Sequence, residues 1–509
     1  MNAEKLQSLL LYRYRYAAAY FIMVVSALGA LLYRLNDLLP GISPTEIDQG
    51  LSITQDSTTI LEQGLYLPYN IVQAISIGVL GESALALRIP SVFFGLLMLI
   101  MMFMLIHLWH KEKIAIITIL FLGTSSWFLT FARHGTPYIY LAFSITLIFL
   151  SGTLLRHSEH PRRGLILSSV AIPLTLYAPY MIYIVALYLI LYNKQIRQIF
   201  KDTNKTNLAM AGMVGFASLV PLLYSFVSNL DTIETWLGIS EGLPSISEFF
   251  SNILATVEHI LWQSNSNAEF HLGDIAMLDI FTATMAALGL YHYEQHFNWI
   301  RTRFIIYGLG LMLVVFGLSS DEGRYFMIAP LVYVLAATGI ITLLNQWNRI
   351  FPINPFARTL ALVPLALALL ITSQYHLDRY FSAWASSPNT RRVYAVEPAL
   401  LEEHIEASTT ERILVITAEL EHQALAFLLN DAGEGRSIDI VNPTEGAVLT
   451  DITNRYDVVY LDGTVEGQLK TTLDAFISET IDNERQTRPI AYRVYDLSTK
   501  VSQAESITQ

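Results

Sequence analysis

The feature that most constrains this chain is the spacing of its apolar residues, which arrive in blocks of about 18 to 20, the length a helix needs to cross a hydrocarbon core of about 30 Å. Hydropathy marks candidate spans near 17–33, 89–109, 114–131, 138–155, 164–177, 179–193, 207–227, 274–292, 303–319, 326–345 and 357–375. The fifth and sixth are short and proline-interrupted. Composition agrees: 53% of residues are hydrophobic and 15% charged, against about a quarter charged in soluble chains, and the mean hydropathy is +0.44. The chain reads as a polytopic α-helical membrane protein. Its first block, "YAAAYFIMVVSALGALLYRL", is long enough to span and has no small-residue cleavage site after it, so it reads as a retained anchor. With no cysteine, external parts are held by packing and not by disulfides.

Charge orients the spans. Basic residues cluster at Arg13 and Arg15, Lys111 and Lys113, "RHSEHPRR" (156–163), Lys194 to Lys205, Arg301 and Arg303, and Arg349 and Arg358. If the spans alternate, all of these fall on one side, which the positive-inside rule makes cytoplasmic. The N-terminus is then cytoplasmic, and loops 34–88, 132–137, 228–273 and 320–325 lie outside the cell (plasma or inner) membrane, with everything after about 376. From residue 376 onward the chain carries 22 Asp and Glu against 11 Lys and Arg, or −11 of its net −12. Such an acidic tail argues against nucleic acid and anionic membrane surfaces as its partners, since both would repel it.

The outer loops read as ordered. In "GISPTEIDQG", Ser43 stands at an N-cap, Pro44 at the first helical position and Glu46 at the capping-box position. "YLPYNIVQAISIGVLG" is apolar but too short and polar to span, so it reads as a helix lying in the interface. Loop 228–273, with its scattered aromatic residues, reads as another interfacial segment. The tail alternates β-branched runs at 412–417, 437–441, 457–461 and 491–497 with amphipathic stretches such as 419–430 and 465–481, the pattern of a small α/β domain. The expected domains are 1–375, transmembrane, and 376–509, a soluble extracytoplasmic α/β domain.

Before residue 376 the outer side carries four basic residues: Arg34, Arg88, Arg133 and Arg324, each at the outer end of a different span. One reading is snorkelling, or pairing with acids such as Glu82 or Asp321. The other is convergence on an anion, since arginine forks suit the oxygens of a lipid phosphate.

Three stretches resemble a known family: "PGISPTEIDQG", "LPYNIVQAISIGVLGESALALRIPSVFFGLLMLIMMFML" and "LFLGTSSWFLTFARHGTPYIYLAF". Their order and spacing resemble the GT-C superfamily of polyprenyl-phosphate-sugar-dependent glycosyltransferases, specifically family 39, which includes the protein O-mannosyltransferases and the lipid A aminoarabinose transferase. The family's "RLPS"-like start to the second span is matched by Arg88 to Ser91, its arginine-bearing turn before the fourth span by Arg133 and His134, and its "RY…P" span by Arg324, Tyr325 and Pro330. The resemblance covers residues 17 to 155 and continues more weakly to about 345. It implies a GT-C fold with about eleven transmembrane helices, a sugar on a polyprenyl phosphate as donor, and attack of an acceptor hydroxyl on the anomeric carbon with inversion. One carboxylate would take the hydroxyl proton, and cations would stabilise the departing phosphate. Arg88, Arg133, His134, Arg324 and Tyr325 would bind the donor. Many members carry "DE" after the first span, with the Asp as base. Here the aligned pair is Thr45 and Glu46, leaving Glu46 as first candidate and Asp48, about 200° away on a helix, as second. The family's lysine before the interfacial helix is absent from "GLYLPYN".

Other residues have two readings each. Glu62, Tyr66 and Tyr69 could line the acceptor path or pack an amphipathic helix, and His259 and Trp262 could stack on a sugar or anchor at the interface. Asp321 and Glu322 read more readily as partners of Arg324 than as catalysts. Metal dependence varies among such enzymes, so a divalent cation is compatible with the chain; His271 and Asp274 are the one candidate ligand pair. Asp279, the one acid within a span, sits where it could reach a wet cavity. Two other functions compete: a non-catalytic GT-C-like scaffold binding lipid-linked sugar or an envelope partner, and a lipid-linked sugar transporter, which would need ionisable residues at mid-bilayer that these spans lack. The acceptor, whether glycan, lipid or protein, is not written in the sequence.

Overall fold

A computed structural model describes residues 15–500, except 55–63, 111, 158–160, 240–241, 264–266, 319–322, 352, 354, 361, 418–428, 430–435, 442–454, 464–469, 471–472, 475 and 483–489. In chain order its helices are α1 (Arg15–Leu32), α2 (Pro44–Thr54), α3 (Leu67–Leu80), α4 (Ala84–Trp109), α5 (Glu112–Thr124), α6 (Ser126–Ala132), α7 (Tyr138–His157), α8 (Pro161–Leu176), α9 (Met181–Leu191), α10 (Asn193–Asp202), α11 (Lys205–Ser228), α12 (Asp231–Leu237), α13 (Ile246–Leu261), α14 (Ile280–Glu294) and α15 (Ile300–Leu318). A 3-10 turn, Gly323–Ile328, leads into α16 (Ala329–Ile350), followed by α17 (Pro355–Leu360), α18 (Leu362–Asp378), a π turn at Arg379–Trp384, α19 (Pro388–Val393) and α20 (Val396–Ala407). Five strands complete the chain: β1 (Arg412–Ile416), β2 (Ser437–Val441), β3 (Val458–Asp462), β4 (Phe476–Asp482) and β5 (Ile490–Lys500).

Each predicted apolar block overlaps helix, although 274–292 begins in a loop and turns helical only at Ile280. Among the described residues, five helices are long and apolar enough to cross a membrane alone, and six if α5 and α6, bent by 68° at Ser125, form one broken span. Several other blocks, α8 and α9 among them, are shorter apolar helices. The chain divides into two compact units. One comprises 1–33, 56–74 and 88–381; the other comprises 34–55, 75–87 and 382–509.

In the first unit, α7 is central, with 83% of its apolar window buried, and α11 peripheral at 17%, with Met213, Phe216 and Val227 exposed. Close packing comes from small residues: a Cβ on Gly289 would lie 1.9 Å from Leu335 O, and one on Gly339 1.9 Å from Met285 O, so only glycine lets α14 and α16 approach this far. The described residues of loop 228–273 include helices α12 and α13, the latter started by a full capping box between Ser245 and Glu248. Its residues Ile246, Phe250 and Leu254 recur every four positions as an exposed apolar stripe.

The second unit holds a five-stranded sheet ordered β2-β1-β3-β5-β4. β1 pairs in parallel with β2 and β3, while β5 runs antiparallel to both β3 and β4. The central runs "RILVI" and "VVYLD" feed two cores by strict alternation: Ile413, Val415 and Tyr460 on one face with Leu401 and Ile405 of α20, and Leu414, Val459 and Leu461 on the other. The amphipathic stretch 465–481 is not helical to its end, because "FISETID" forms edge strand β4, where alternating side chains and a ladder with β5 outweigh helical propensity. Stretch 419–430 lies almost wholly outside the described residues. The same unit packs loop 34–55 onto the start of the tail: Ile42, Ile47, Ala84 and Leu87 share a core with Ala395 and Ala399. Gly41 permits this, since a Cβ there would meet Tyr394 O at 1.9 Å and Ala395 O at 2.4 Å.

Candidate active site

In the first unit the site is built on the turn 133–137 between α6 and α7. Tyr69 Oη and Ser91 Oγ share a hydrogen bond of 2.7 Å, Ser91 Oγ donates to the carbonyl of His134, and Gln73 Nε2 donates to Gly135 O at 3.0 Å. These buried polar side chains fix an irregular backbone whose carbonyls have no ladder to join. His134, 2% exposed, holds Thr136 Oγ1 on Nδ1 at 2.8 Å and lies 3.5 Å from Glu269 Oε1 through Nε2. Arg133 donates to Tyr33 O at 2.8 Å and Ala30 O at 3.4 Å, with its guanidinium over the rings of Tyr380 and Phe381. It thereby neutralises the carbonyl end of α1, a favourable place for a cation.

Arg324 is different. Its side chain is fully buried in the turn Gly323–Ile328, where Nη1 donates to Tyr180 Oη at 3.2 Å and the guanidinium lies over the Tyr180 ring. Tyr180 reaches it from a left-handed backbone conformation (φ 64°), pinned by its N–H on Trp236 O at 2.9 Å. The other donors, Nε and Nη2, are buried and have no hydrogen-bond partner among the described residues. Each such donor costs about 1–3 kcal/mol if left unpaired, and more on a charged group, so this guanidinium has room for an acceptor beyond the described residues. Two residues on, Phe326 begins a chain of ring contacts: Phe326 on Phe131 at 4.8 Å, Phe131 on Phe270 at 5.4 Å, and Phe270 against His134 at 5.2 Å. Next to Arg324, Tyr325 packs its ring on His259. Tyr325 and Phe326, the two residues after Arg324, thus enter two ring groups, one that holds His259 and one that holds His134.

The remaining candidates are dispersed. Arg88 is buried on α4, and Tyr69 is fully buried, stacked on Phe94 as well as bonded to Ser91. Tyr66, at φ 55°, is half-buried with its N–H on Tyr177 O. Trp262 is 82% exposed at the end of α13. Glu62, Asp321 and Glu322 lie outside the described residues. In the second unit, Arg34 and Asp48 are exposed, whereas Glu46 is completely buried. There Ser43 N–H donates to Glu46 Oε2 at 3.1 Å and Glu46 N–H to Ser43 Oγ at 3.3 Å, the reciprocal capping box the sequence predicts.

Asp279 is engaged by protein groups. It caps α14, accepting from Thr282 N–H at 2.9 Å and from the Thr282 hydroxyl, and binds His376 Nε2 at 2.9 Å. His376 Nδ1 lies 3.0 Å from Ser126 Oγ, at the bend between α5 and α6. With Nε2–H donating to the carboxylate and Nδ1 accepting from serine, every member is satisfied, which reads as a polar clamp across a broken span. Sequence reasoning missed this clamp, Glu269, and Arg379, which donates to Ala276 O and Ile275 O. It also missed Tyr180, although the proline-interrupted loop between the fifth and sixth blocks was a signal. For a metal, His271 is buried and Asp274 exposed, and no group of three or more His, Asp or Glu is placed to hold an ion among the described residues.

No protein-family model and no curated protein sequence matches the chain. Solved structures do. ArnT from Cupriavidus metallidurans bound to undecaprenyl phosphate aligns with a TM-score of 0.55 at 12% identity, covering 94% of this chain and 98% of that one. The same protein in the apo state gives 0.49 at 13%, with the same coverage. The Archaeoglobus fulgidus oligosaccharyltransferase in complex with Zn and sulfate gives 0.47 at 12%, over 92% of this chain and 72% of that one. By the first alignment the chain shares the fold of ArnT: apolar helices, several of them long enough to cross a membrane, followed by a C-terminal α/β sheet region.

Proposed function

We propose that this protein is an inverting glycosyltransferase that moves a sugar from a polyprenyl-phosphate donor to an acceptor hydroxyl at the outer face of the membrane. The observation that carries the proposal is Arg324, fully buried with Nε and Nη2 unpartnered among the described residues. The phosphate of a lipid-linked sugar supplies the acceptor oxygens this guanidinium lacks, and negative charge grows on that phosphate as the glycosidic bond breaks. The undecaprenyl phosphate bound to the similarly folded ArnT is a ligand of this class.

In the reaction, the acceptor oxygen forms a bond to the anomeric carbon from the face opposite the phosphate. The carbon–phosphate oxygen bond breaks, its electron pair leaving with polyprenyl phosphate. The hydroxyl proton passes to a carboxylate, for which Glu46 is the proposed base and Asp48 the second candidate. Arg324 holds the phosphate, His134 and Tyr325 support it from their two ring groups, and Arg88 adds positive charge. Glu46 and Arg324 belong to different compact units, and each role rests on that residue's own surroundings.

A second reading is favoured by Glu46 itself, whose carboxylate is engaged in a capping box: a scaffold that binds lipid-linked sugar without turning it over. Purified protein incubated with radiolabelled polyprenyl-phosphate sugars separates the two. The enzyme releases free polyprenyl phosphate and transfers label, while the scaffold retains intact donor.

A further inference from the structure

At the end of the first unit opposite the 133–137 turn lies a second feature that the proposed reaction does not use. The helices α7, α8, α9 and α11 leave between them an apolar cavity of about 370 Å³, within the roughly 300–1,000 Å³ of small-molecule sites. Its polar groups are paired internally, Ser168 Oγ lying 3.0 Å from Ser151 Oγ and 3.2 Å from Tyr188 Oη. A cavity without spare polar partners holds hydrocarbon better than water.

Helix α10, "NKQIRQIFKD", lies against this space. Ile196, Ile199 and Phe200 line it, while Lys194, Arg197 and Lys201, spaced three and four apart, are exposed on another face. A short helix with one apolar and one basic face fits the plane of a membrane surface, where each Lys or Arg is attracted to anionic lipid. We infer that this cavity is a binding site for an anionic phospholipid, with one acyl chain between α8 and α11 and the phosphate on the basic face of α10. The charge on the helix selects the headgroup, and the cavity selects a chain over bulk lipid contact.

The test is native mass spectrometry of the delipidated full-length protein with dioleoyl phosphatidylglycerol or dioleoyl phosphatidylcholine. Wild type is expected to retain one equivalent of the anionic lipid at least tenfold more strongly than the zwitterionic one. Gly212→Leu fills the cavity, since a Cβ there meets nothing within 4 Å, and is expected to lower retention of both lipids. The triple variant Lys194→Glu, Arg197→Glu, Lys201→Glu changes only exposed positions and is expected to remove the preference while leaving chain binding. Equal retention of the two lipids by wild type, or unchanged retention in Gly212→Leu, overturns the inference.

Discussion

Glu46 and Arg324 are both completely out of contact with solvent, yet their surroundings answer that burial in opposite ways. Glu46 sits at the start of a helix whose N–H groups need an acceptor, and the capping box with Ser43 supplies it, so the carboxylate completes a structure. Arg324 sits in a 3-10 turn with one hydrogen bond to Tyr180 and two donors pointing at no partner among the described residues, so the guanidinium has room for an acceptor beyond them. A buried charge that is satisfied explains the fold around it. A buried charge that is not satisfied among the described residues marks the place where the proposed anion would bind.

Removing each charge breaks this comparison in a distinct way. Arg324→Met should reduce release of polyprenyl phosphate by roughly 100- to 1,000-fold, the usual cost of losing a donor that stabilises developing charge. Its thermal unfolding temperature should stay level or rise, because an uncompensated buried charge is gone. A structural arginine would give the reverse: a large drop in stability with activity in proportion to folded protein. Glu46→Gln sharpens the other side, since glutamine can keep the capping box but cannot accept a proton at neutral pH. If Glu46 is the base, activity falls roughly 100-fold or more at unchanged stability. Full activity in both Glu46→Gln and Asp48→Asn removes the loop from the mechanism.

Smaller effects probe the packing around the two residues. Gly41→Val places side-chain atoms where Tyr394 O already lies and should cost at least about 1–3 kcal/mol, read as a lowered unfolding temperature of the second unit. His271 gives the least effect. Burial first, then the positive charge of Arg379 and His259, holds its pKa down at about 3. The unfolded chain binds a proton there near pH 6.5 and the folded one does not, so stability is fully present above 6.5 and falls as pH drops toward 3. The unfolding temperature of His271→Gln should depend less on pH in that window.

Much of the fold was legible because membrane spans are written in composition. Each apolar block contains helix, and the "RILVI" and "VVYLD" runs became central strands, since length and periodicity decide these elements locally. What stayed hidden depends on pairings distant in the sequence. Strand β4 exists only because β5 pairs with it. Loop 34–55 joins the tail through Gly41, some 350 residues before Tyr394 and Ala395, and no local pattern announces that approach. The same limit applies to the site. Arginines at span ends were visible, but that Arg133 serves the carbonyls of α1 while Arg324 keeps two donors in reserve depends on Tyr33, Tyr180 and the backbone around them. The Ser126–His376–Asp279 clamp joins three helices and has no sequence signature.

The most direct test of the central claim is a structure of the full-length protein with polyprenyl phosphate bound. A phosphate oxygen is expected within about 3.2 Å of Arg324 Nε or Nη2. A phosphate seated elsewhere, with those two donors still unpartnered, would contradict it.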